Sequence, residues 1–434
     1  MKGGELFFCA ECGHESRKWL GRCPGCGAWN SFRSQPAPVR SAAQASARGA
    51  RPIPVSEAAE ACRERTPTGL EGVDRVLGGG LVEGALVLLA GEPGIGKSTL
   101  FLQVAGGLAS AERPVVYVSG EESAQQVALR ARRLGLESDG LLLLPETSCE
   151  AVLSQLEPLE PRLVVIDSVQ TMVADGVDSV AGSPSQVRQV AARFQWLAKV
   201  RGIPVVLVGH VTKDGSIAGP KLLEHLVDVV LSLEGESGHD LRLLRAVKNR
   251  FGTVAELALF SMTGTGLEHV RNPSAWLLED RQSGAPGSAV AVALEGTVPL
   301  LVEVQALVSP SALGTPRRVA HGLDGSRLAL LLAVLERRTG LSFGDRDVYV
   351  NVVGGLSLRE PGLDLAVAAA ALSSLIDRPL PSEAVVFGEI GLLGEVRAVS
   401  RAAERLREAA ALGFTSALLP ERDAKGRAEL RTSG

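Results

Sequence analysis

The sequence has few aromatic residues, few cysteines and no long apolar run, and each of these absences argues against a class of protein. Aromatic residues make up 4% of the 434 residues, so we expect aliphatic cores built from Leu, Val and Ala. No apolar run approaches the roughly 18–20 residues of a membrane span, so we expect no transmembrane helix. Six cysteines in a chain of this length are too few for a disulfide scaffold.

The overall charge and the first residues argue against two further classes. A formal net charge of -4 gives no global reason to expect nucleic-acid binding, so any basic surface must be local. The opening residues, MKGGELFFCA, lack the apolar segment and the cleavage site of a signal peptide, so we expect a cytoplasmic rather than a secreted protein. The length predicts two or three domains.

Composition predicts five consecutive segments. Residues 1–33 are rich in Cys and Gly, whereas residues 34–66 are rich in Ala, Ser, Pro and Arg, which predicts a flexible linker. Apolar runs alternate with helical stretches over residues 67–272, which predicts βαβ units and a mainly parallel sheet. Residues 273–285 form a predicted connector. Strands followed by helices over residues 286–434 predict an α+β domain, so the fold class is α/β overall.

Individual elements are predicted from apolar runs and helical periodicity. The runs that predict buried strands in the central segment are ALVLLAG, PVVYVSG, RLVVIDS, PVVLVGH and VDVVLSL, and helices are predicted after Lys97, Ser123, Pro184 and Gly219. In the last segment the predicted strands are AVAVALEG, PLLVEVQALV and DVYVNVVGG, followed by helices DLAVAAAALSSLI and AAERLREAAALG.

Two Cys-x2-Cys pairs near the start predict a zinc ribbon. The pairs are Cys9 with Cys12 and Cys23 with Cys26, separated by ten residues. A turn of two intervening residues brings two thiolates to about 2.3 Å from one metal, and two such pairs complete a tetrahedral Zn²⁺ site. A chance pairing, a disulfide and a redox motif are the alternatives. Because all four ligand positions are filled, we expect a structural zinc in a locally basic module that contacts nucleic acid or a partner.

A complete phosphate-binding loop of the pattern GxxxxGK[ST] follows the run ALVLLA and precedes a helical stretch. Such a loop aims backbone N–H groups and a helix N-terminus at phosphates, so it predicts ATP binding. Lys97 is expected to bridge the β- and γ-phosphates, and Ser98 is expected to bind Mg²⁺. The residues of the loop are Gly91, Glu92, Pro93, Gly94, Ile95, Gly96, Lys97, Ser98 and Thr99.

Three further polar residues follow predicted strands. Asp167 ends the run RLVVID and is the expected second residue on the metal side. Glu121 follows PVVYVSG and is the candidate that polarises the attacking water, with Glu122 as the alternative. The other interpretation is that both glutamates simply begin the next helix, where acidic groups are favourable. His210 ends PVVLVGH, where a sensor of the γ-phosphate would lie.

The P-loop after a glycine-rich entry at residues 77–80, with Glu121 and Asp167 on later strands, resembles the RecA/DnaB type of ATPase core. The segment VKNRFG at residues 247–252, the four-Cys ribbon and the C-terminal domain narrow the match. Together they resemble the RadA family, also called Sms, of bacterial DNA recombination and repair ATPases. That resemblance implies hexameric rings, ATP-driven helicase movement on single-stranded and branched DNA, and cooperation with RecA.

Basic residues supply further candidates. In ring ATPases a neighbouring subunit inserts Arg or Lys at the γ-phosphate. Arg250 is the candidate for this finger, and Lys248 either assists it or contacts DNA; the alternative is two solvated basic residues. In RecA-like rings, DNA contacts come from loops that line the channel, here residues 173–189 and 212–224. These loops offer Arg188, Lys213 and Lys221 to DNA phosphates, although loop cations are often merely solvated.

The C-terminal domain resembles the proteolytic domain of Lon, over residues 354–366 and 388–396. Lon cleaves with a Ser–Lys dyad, in which the Lys amine activates the Ser hydroxyl. The matching positions here are Asp364 and Arg405, which cannot perform this chemistry and are expected to form a salt bridge. The domain is therefore predicted to be a non-proteolytic scaffold that stacks subunits. Its candidate DNA-facing residues are Arg317, Arg318, Arg337 and Arg338.

Three functions remain open at this point. The first is a DNA-dependent motor ATPase, the second is an ATP-dependent protease of the Lon type, and the third is a nucleotide-regulated scaffold of the KaiC kind. Stimulation of ATP hydrolysis by single-stranded DNA favours the first, and casein degradation favours the second. The absence of both effects favours the third.

Overall fold

A computed structural model describes most of the chain, which forms two compact units. The described residues are 6–9, 15–16, 18–35, 65–210, 223–235, 240–311, 315–355, 358 and 360–425. The first unit comprises Met1–Leu233, Ala246–Thr253 and Gly264–Leu267. The second comprises Glu234–Arg245, Val254–Thr263 and Glu268–Gly434. The boundaries predicted from composition at residues 272 and 286 stay a prediction.

The N-terminal module is a small antiparallel sheet. Its strands are β1 (Leu6–Cys9), β2 (Glu15–Ser16) and β3 (Phe32–Gln35), in the order β2-β1-β3. Phe32 packs with Cys9 and Cys23 in its small core. The predicted linker lies outside the described residues except at its two ends, and both of these ends are strands rather than irregular chain.

The segment that follows alternates strands with helices, as the sequence predicts. Its elements are β4 (Arg65–Thr66), α1 (Glu71–Leu77), β5 (Leu81–Val82), β6 (Leu86–Gly91), α2 (Lys97–Leu108), β7 (Val115–Ser119), α3 (Ala124–Arg133), β8 (Leu141–Pro145), α4 (Cys149–Leu156), β9 (Leu163–Asp167), α5 (Pro184–Arg201), β10 (Val205–His210) and β11 (Val229–Glu234).

Six of these strands are parallel neighbours within a nine-stranded sheet, in the order β11-β6-β10-β9-β7-β8. The central strands are buried because nearly all their residues are aliphatic, and they pack with α4 and α5 in one continuous core. The order brings the C-terminal ends of β6, β7, β9 and β10 to one edge of the sheet. That edge is where parallel α/β sheets bind their ligands.

The five predicted strands of this sheet are confirmed, and β8 and α4 were not predicted. The helix predicted after Gly219 lies mainly outside the described residues. The helices α3 and α5 begin with strong N-caps. The hydroxyls of Ser123 and Ser183 accept hydrogen bonds from backbone N–H groups of the first turn of each helix. Pro184 at the first turn of α5 ends the predicted loop 173–189 early, so its last residues are helical.

The rest of the chain contains an antiparallel strand pair and a larger mixed sheet. Its elements are β12 (Leu241–Asn249), β13 (Leu257–Thr263), β14 (Gly266–His269), α6 (Pro273–Leu277), β15 (Ser288–Glu295), β16 (Val298–Pro310), β17 (Arg318–His321), α7 (Gly325–Thr339), β18 (Arg346–Val352), α8 (Asp364–Leu375), β19 (Ala384–Val386), β20 (Glu389–Ile390), β21 (Val396–Arg397), α9 (Ala402–Ala411), β22 (Ser416–Leu418) and α10 (Glu421–Lys425).

The second unit is built on a six-stranded sheet in the order β17-β18-β16-β15-β19-β22. β15 pairs antiparallel with β16 and parallel with β19, so the sheet is mixed. The alternating small and branched side chains of β15 and β16 face two cores, which α7 and α8 cover on one side and α9 covers on the other. The predicted α/β fold class, with a mainly parallel core sheet and a C-terminal α+β domain, is confirmed.

No helix among the described residues combines the length and the apolar character that a membrane crossing requires.

Candidate nucleotide and zinc sites

The P-loop forms one tight turn between β6 and α2. Gly94 and Gly96 have φ of 79° and 111°, a backbone conformation that L side chains rarely adopt. A Cβ at Gly91 would lie 2.6 Å from the carbonyl oxygen of Leu233, so only glycine fits there. The helix α2 begins at Lys97, and its free N–H groups open toward this turn. The turn can therefore hold an anionic phosphate chain.

The side chain of Lys97 lies inside the loop and is almost fully buried. Its Nζ donates hydrogen bonds to the carbonyl oxygens of Gly91 and Glu92, at 2.9 and 2.8 Å, and lies 3.0 Å from Nδ1 of His210. Desolvation lowers the pKa of Lys97 to about 8, while the negative charge of Asp167 acts in the opposite direction. Lys97 and His210 are thus neighbours, as expected for two groups that contact the same phosphate.

Asp167 is held at the end of β9 by groups of the adjacent strand. The phenol of Tyr117 donates a hydrogen bond of 2.5 Å to Oδ2 of Asp167. The backbone N–H of Gly120 donates to the backbone carbonyl oxygen of Asp167 at 2.8 Å. Asp167 is partly exposed, so its second carboxylate oxygen can reach a ligand from solvent. Together with Ser98, in the first turn of α2, it supplies the oxygen donors that Mg²⁺ prefers.

The two candidate glutamates have different surroundings. The carboxylate of Glu121 accepts a hydrogen bond of 2.6 Å from the hydroxyl of Ser168 and lies 3.5 Å from Nε2 of His210. Glu122 instead forms an ion pair of 2.5 Å with Arg130 on α3. Glu121 therefore lies beside the P-loop lysine and its histidine neighbour, whereas the charge of Glu122 is already neutralised by a guanidinium.

Lys248 and Arg250 lie at the end of β12 and contact the segment before β11. The Lys248 ammonium donates hydrogen bonds to the carbonyl oxygens of Glu224 and Val227, the second at 2.8 Å. Arg250 is half exposed and lies 3.4 Å from Oδ1 of Asp228. Burial lowers the pKa of Lys248, with the charge of Arg250 as the next cause. Moving Arg250 from Asp228 to another charged group should therefore cost less free energy than moving Lys248 from its two carbonyl partners.

The residues predicted to contact DNA are only partly described. Arg188 lies on the exposed side of α5 rather than in a loop. Lys213 and Lys221 lie outside the described residues. In the second unit Arg317, Arg337 and Arg338 are exposed. Arg318 instead donates hydrogen bonds to the backbone carbonyls of β18 and its preceding turn.

Three of the four predicted zinc ligands lie together in the ribbon. The Sγ atoms of Cys9, Cys23 and Cys26 all lie within 4.8 Å of one another, and those of Cys9 and Cys26 are 3.6 Å apart. Two sulfurs bound at about 2.3 Å to a tetrahedral zinc are separated by roughly 3.8 Å, so the arrangement fits Zn²⁺. Cys12 lies outside the described residues. Gly27 has φ of 77°, which allows the turn after the second pair.

The expected salt bridge between Asp364 and Arg405 is wrong, because each residue has another partner. Asp364 is buried at the start of α8 and accepts hydrogen bonds from the guanidinium of Arg327 on α7. Arg405 is fully buried and forms a bidentate pair with Glu360, at 2.7 and 3.0 Å. The resemblance to Lon identified the two positions but not their partners. Arg327 lies outside the Lon-like segments, and Glu360, which lies inside the first of them, is 45 residues away from Arg405 in the sequence.

Sequence reasoning missed three residues that contact the candidate carboxylates. These are Tyr117, Ser168 and Arg130, which contact Asp167, Glu121 and Glu122 in that order. A usable signal existed for the first of them. Tyr117 is one of only two tyrosines in the chain and stands in a strand that is otherwise aliphatic, so its buried hydroxyl needs a partner.

Three family models match different parts of the chain. The AAA domain matches residues 63–216, which contain the P-loop, Glu121 and Asp167. The rubredoxin metal binding domain matches residues 7–34, which contain the cysteine pairs. Subunit ChlI of Mg-chelatase matches residues 329–423 in the second unit. The predictions of ATP, Mg²⁺ and Zn²⁺ as cofactors are confirmed by these matches and by the cysteine cluster.

Relatives match nearly the whole chain. A protein of Pseudomonas aeruginosa named DNA repair protein RadA is 51% identical over 425 residues, which cover 96% of this chain and 93% of that protein. Proteins of the same name from Halalkalibacterium halodurans and Aquifex aeolicus are 49% and 48% identical. Both matches cover 97% of this chain, and they cover 93% and 94% of those proteins.

Proposed function

This chain belongs to the family of DNA repair protein RadA, and we propose that it is an ATP-driven motor that acts on DNA in repair and homologous recombination. It would hydrolyse ATP, translocate on single-stranded DNA as a helicase and process recombination branches together with RecA. The supporting observation is that Lys97, Glu121 and Asp167 all stand at the same edge of one parallel sheet. This arrangement suits ATP hydrolysis, which is the step that a motor requires.

Phosphate binding would use the backbone of the P-loop, the N-terminus of α2 and Lys97. Ser98 and Asp167 would hold Mg²⁺, which neutralises negative charge on the phosphates. ATP binding would give the Lys97 ammonium new anionic partners in place of two backbone carbonyls. His210, already 3.0 Å from Lys97, would then sense the γ-phosphate through its ring N–H.

Glu121 is the proposed group that polarises the attacking water. Its carboxylate is held by Ser168 and lies near His210, and it is about half exposed toward the site. A general base needs such an accessible oxygen at the reacting centre. Glu122 is less suitable, because withdrawing its carboxylate from Arg130 would cost an ion pair.

Replacing each of the two glutamates by glutamine in turn tests which one polarises the water. We expect Glu121→Gln to bind ATP with nearly unchanged affinity and to hydrolyse it at least about 100-fold more slowly, since general-base catalysis contributes about 10²–10⁴-fold. Glu122→Gln is the matched control and should retain most of the rate. Lys97→Ala and Asp167→Ala should abolish hydrolysis. Normal turnover by Glu121→Gln, with slow turnover by Glu122→Gln, would transfer the role to Glu122.

Arg250 is the proposed finger that reaches the γ-phosphate of a neighbouring subunit in a hexameric ring. Its guanidinium is half exposed, and its ion pair with Asp228 can be exchanged for one with a phosphate. Lys248 would support Arg250 by holding the end of β12 against Glu224 and Val227, or would contact DNA directly.

Mixing inactive subunits tests a finger that acts between subunits. Arg250→Ala retains a nucleotide site, and Lys97→Ala retains a finger, so mixed rings should recover part of the ATPase rate. Lys97→Ala mixed with Asp167→Ala is the control, because both variants lack a functional nucleotide site. If mixed rings form and the first mixture stays as inactive as the control, the finger does not act between subunits.

DNA contact would use Arg188, Lys213, Lys221 and Lys248, mainly through phosphates. A motor of this kind should show ATP hydrolysis that single-stranded DNA stimulates and that falls as salt increases. The test is an ATPase and strand-separation assay on forked DNA, with Lys97→Ala as the control. If neither single-stranded nor forked DNA changes the ATPase rate at low salt, the chain is a nucleotide-regulated scaffold and not a DNA motor.

A further inference from the structure

Tyr117 lies in the interior of the parallel sheet and has no role in the reaction described above. It is 1% exposed and stands on β7, where its register partner on β9 is Val165. Side chains two residues apart on a strand share one face, so Tyr117, Val165 and Asp167 lie on the same side of the sheet. The neighbouring residues Val116 and Ile166 belong to the core on the opposite side.

The phenol of Tyr117 contacts the carboxylate of Asp167, which is proposed to bind Mg²⁺. Its hydroxyl donates a hydrogen bond of 2.5 Å to Oδ2 of Asp167. A phenylalanine would fill the same space, so the hydroxyl is there for its hydrogen bond rather than for packing. A phenol carries its proton near neutral pH, so it is the donor in this bond and the carboxylate is the acceptor.

The same strand also positions the other carboxylate of the site. The hydroxyl of Ser119 accepts a hydrogen bond from the backbone N–H of Glu122 and donates one to its carbonyl oxygen, which closes the turn that carries Glu121. Tyr117 and Ser119, whose hydroxyl closes this turn, thus lie two residues apart on one strand. Any rotation of the Asp167 carboxylate would have to break the bond to Tyr117 first.

We propose that Tyr117 is a positioning residue, whose hydroxyl fixes the rotation of the Asp167 carboxylate and thereby sets the affinity of the nucleotide site for Mg²⁺. One carboxylate oxygen is occupied by the phenol, and the other is left to face the metal side. Groups that hydrogen-bond to a metal-binding carboxylate usually change metal affinity or activity by about 10–100-fold when they are removed. The inference rests on the proposed ATP–Mg²⁺ site.

The test is the dependence of ATP hydrolysis on Mg²⁺ concentration in Tyr117→Phe. We expect the half-saturating Mg²⁺ concentration to rise about tenfold, with the maximal rate largely restored at high Mg²⁺. Nucleotide binding measured in EDTA should be unchanged, which shows that the variant is folded. Tyr349→Phe is the matched control, because Tyr349 is the other tyrosine of the chain and lies on β18 of the second unit.

Two results would overturn the inference. One is an unchanged half-saturating Mg²⁺ concentration in Tyr117→Phe, and the other is a rate that is equally low at every Mg²⁺ concentration. If Tyr117→Phe does not fold, Tyr349→Phe labelled with 3-fluorotyrosine gives a single fluorine resonance from position 117. That resonance should shift when Mg²⁺ is added to the nucleotide-bound protein, and no shift would refute the inference. If Asp167→Ala retains Mg²⁺-dependent hydrolysis, the proposed ATP–Mg²⁺ site itself is wrong. That result is separate from a failure of the inference about Tyr117.

Discussion

Buried charges illustrate what single residues contribute to this protein. Arg405 is fully buried, and its guanidinium is satisfied by Glu360, by the carbonyl oxygens of Ser400 and Val292, and by the ring of Phe387 at 5.7 Å. A buried cation is tolerated only when such partners replace the water that it loses. The Lon-like position of Arg405 therefore has a structural use that differs from proton transfer.

Removing the charge of Glu360 should expose this dependence. We expect Glu360→Gln to lower the free energy of unfolding of the second unit by about 3–5 kcal/mol, because the Arg405 charge would stay buried without an anion. Glu404→Gln is the matched control, since Glu404 lies on α9 beside Arg405 and forms an exposed pair of 4.0 Å with Arg407. The control should cost less than about 1 kcal/mol.

Chemical denaturation followed by circular dichroism measures both variants. Equal stabilities of Glu360→Gln and Glu404→Gln would show that Arg405 finds another anion or that water reaches it.

At the scale of elements, the kind of sequence pattern decided which strands and helices could be predicted. The five central strands were predictable because they are continuous runs of branched aliphatic residues that end in Gly or a polar residue. The helix α7 was not predicted, although its buried residues Leu328, Leu331, Leu332 and Leu335 follow helical spacing. The strand β8 was missed because its leucines are only partly buried, and leucine does not distinguish a strand from a helix.

The ribbon is the element whose folding should depend most on its metal. Its described core consists mainly of Phe32 and the cysteines, with Phe7 and Leu20 packed against them, which is too little to hold three short strands. We therefore expect Cys23→Ser, or treatment with a chelator, to unfold residues 1–33. ATP binding by the P-loop should persist, because the predicted linker separates the two parts.

Proteolysis of the ribbon and fluorescent-nucleotide binding measure the two effects separately. Cys149→Ser is the control for loss of a thiol, since Cys149 lies on α4, away from the cluster. Loss of ATP binding in Cys23→Ser alone would contradict the prediction of an independent linker.

At the scale of the whole molecule, the second unit has Asp364 and Arg405 at the positions that resemble the Ser and Lys of Lon. A cavity of about 390 Å³ lies beside Asp364, and its lining includes five leucines and several polar side chains. The described residues that line it include Ser326, and none of them is a Lys or a His that could act as its base. Asp364 is paired with Arg327, and a carboxylate in an ion pair is a poor acyl-transfer nucleophile.

The whole chain should therefore have no peptidase activity. We expect no cleavage of casein or of short fluorogenic peptides with ATP present, and the same result for Lys97→Ala. Lon protease assayed in parallel shows that the substrate is cleavable. Peptide cleavage that survives Lys97→Ala and that a serine-reactive inhibitor abolishes would overturn this prediction. Removing residues 286–434 should instead weaken ring formation and DNA binding more than nucleotide binding.

The sequence by itself determined the family, the P-loop, the cysteine pairs and the main strands of the parallel sheet. These features depend on residues close together in the chain, so spacing and composition are enough to identify them. Only the tertiary structure decided which partner each charged group has. Tyr117 meets Asp167, Arg327 meets Asp364 and Glu360 meets Arg405 across separate elements, and the strand register and helix packing that bring them together are not encoded in any local pattern.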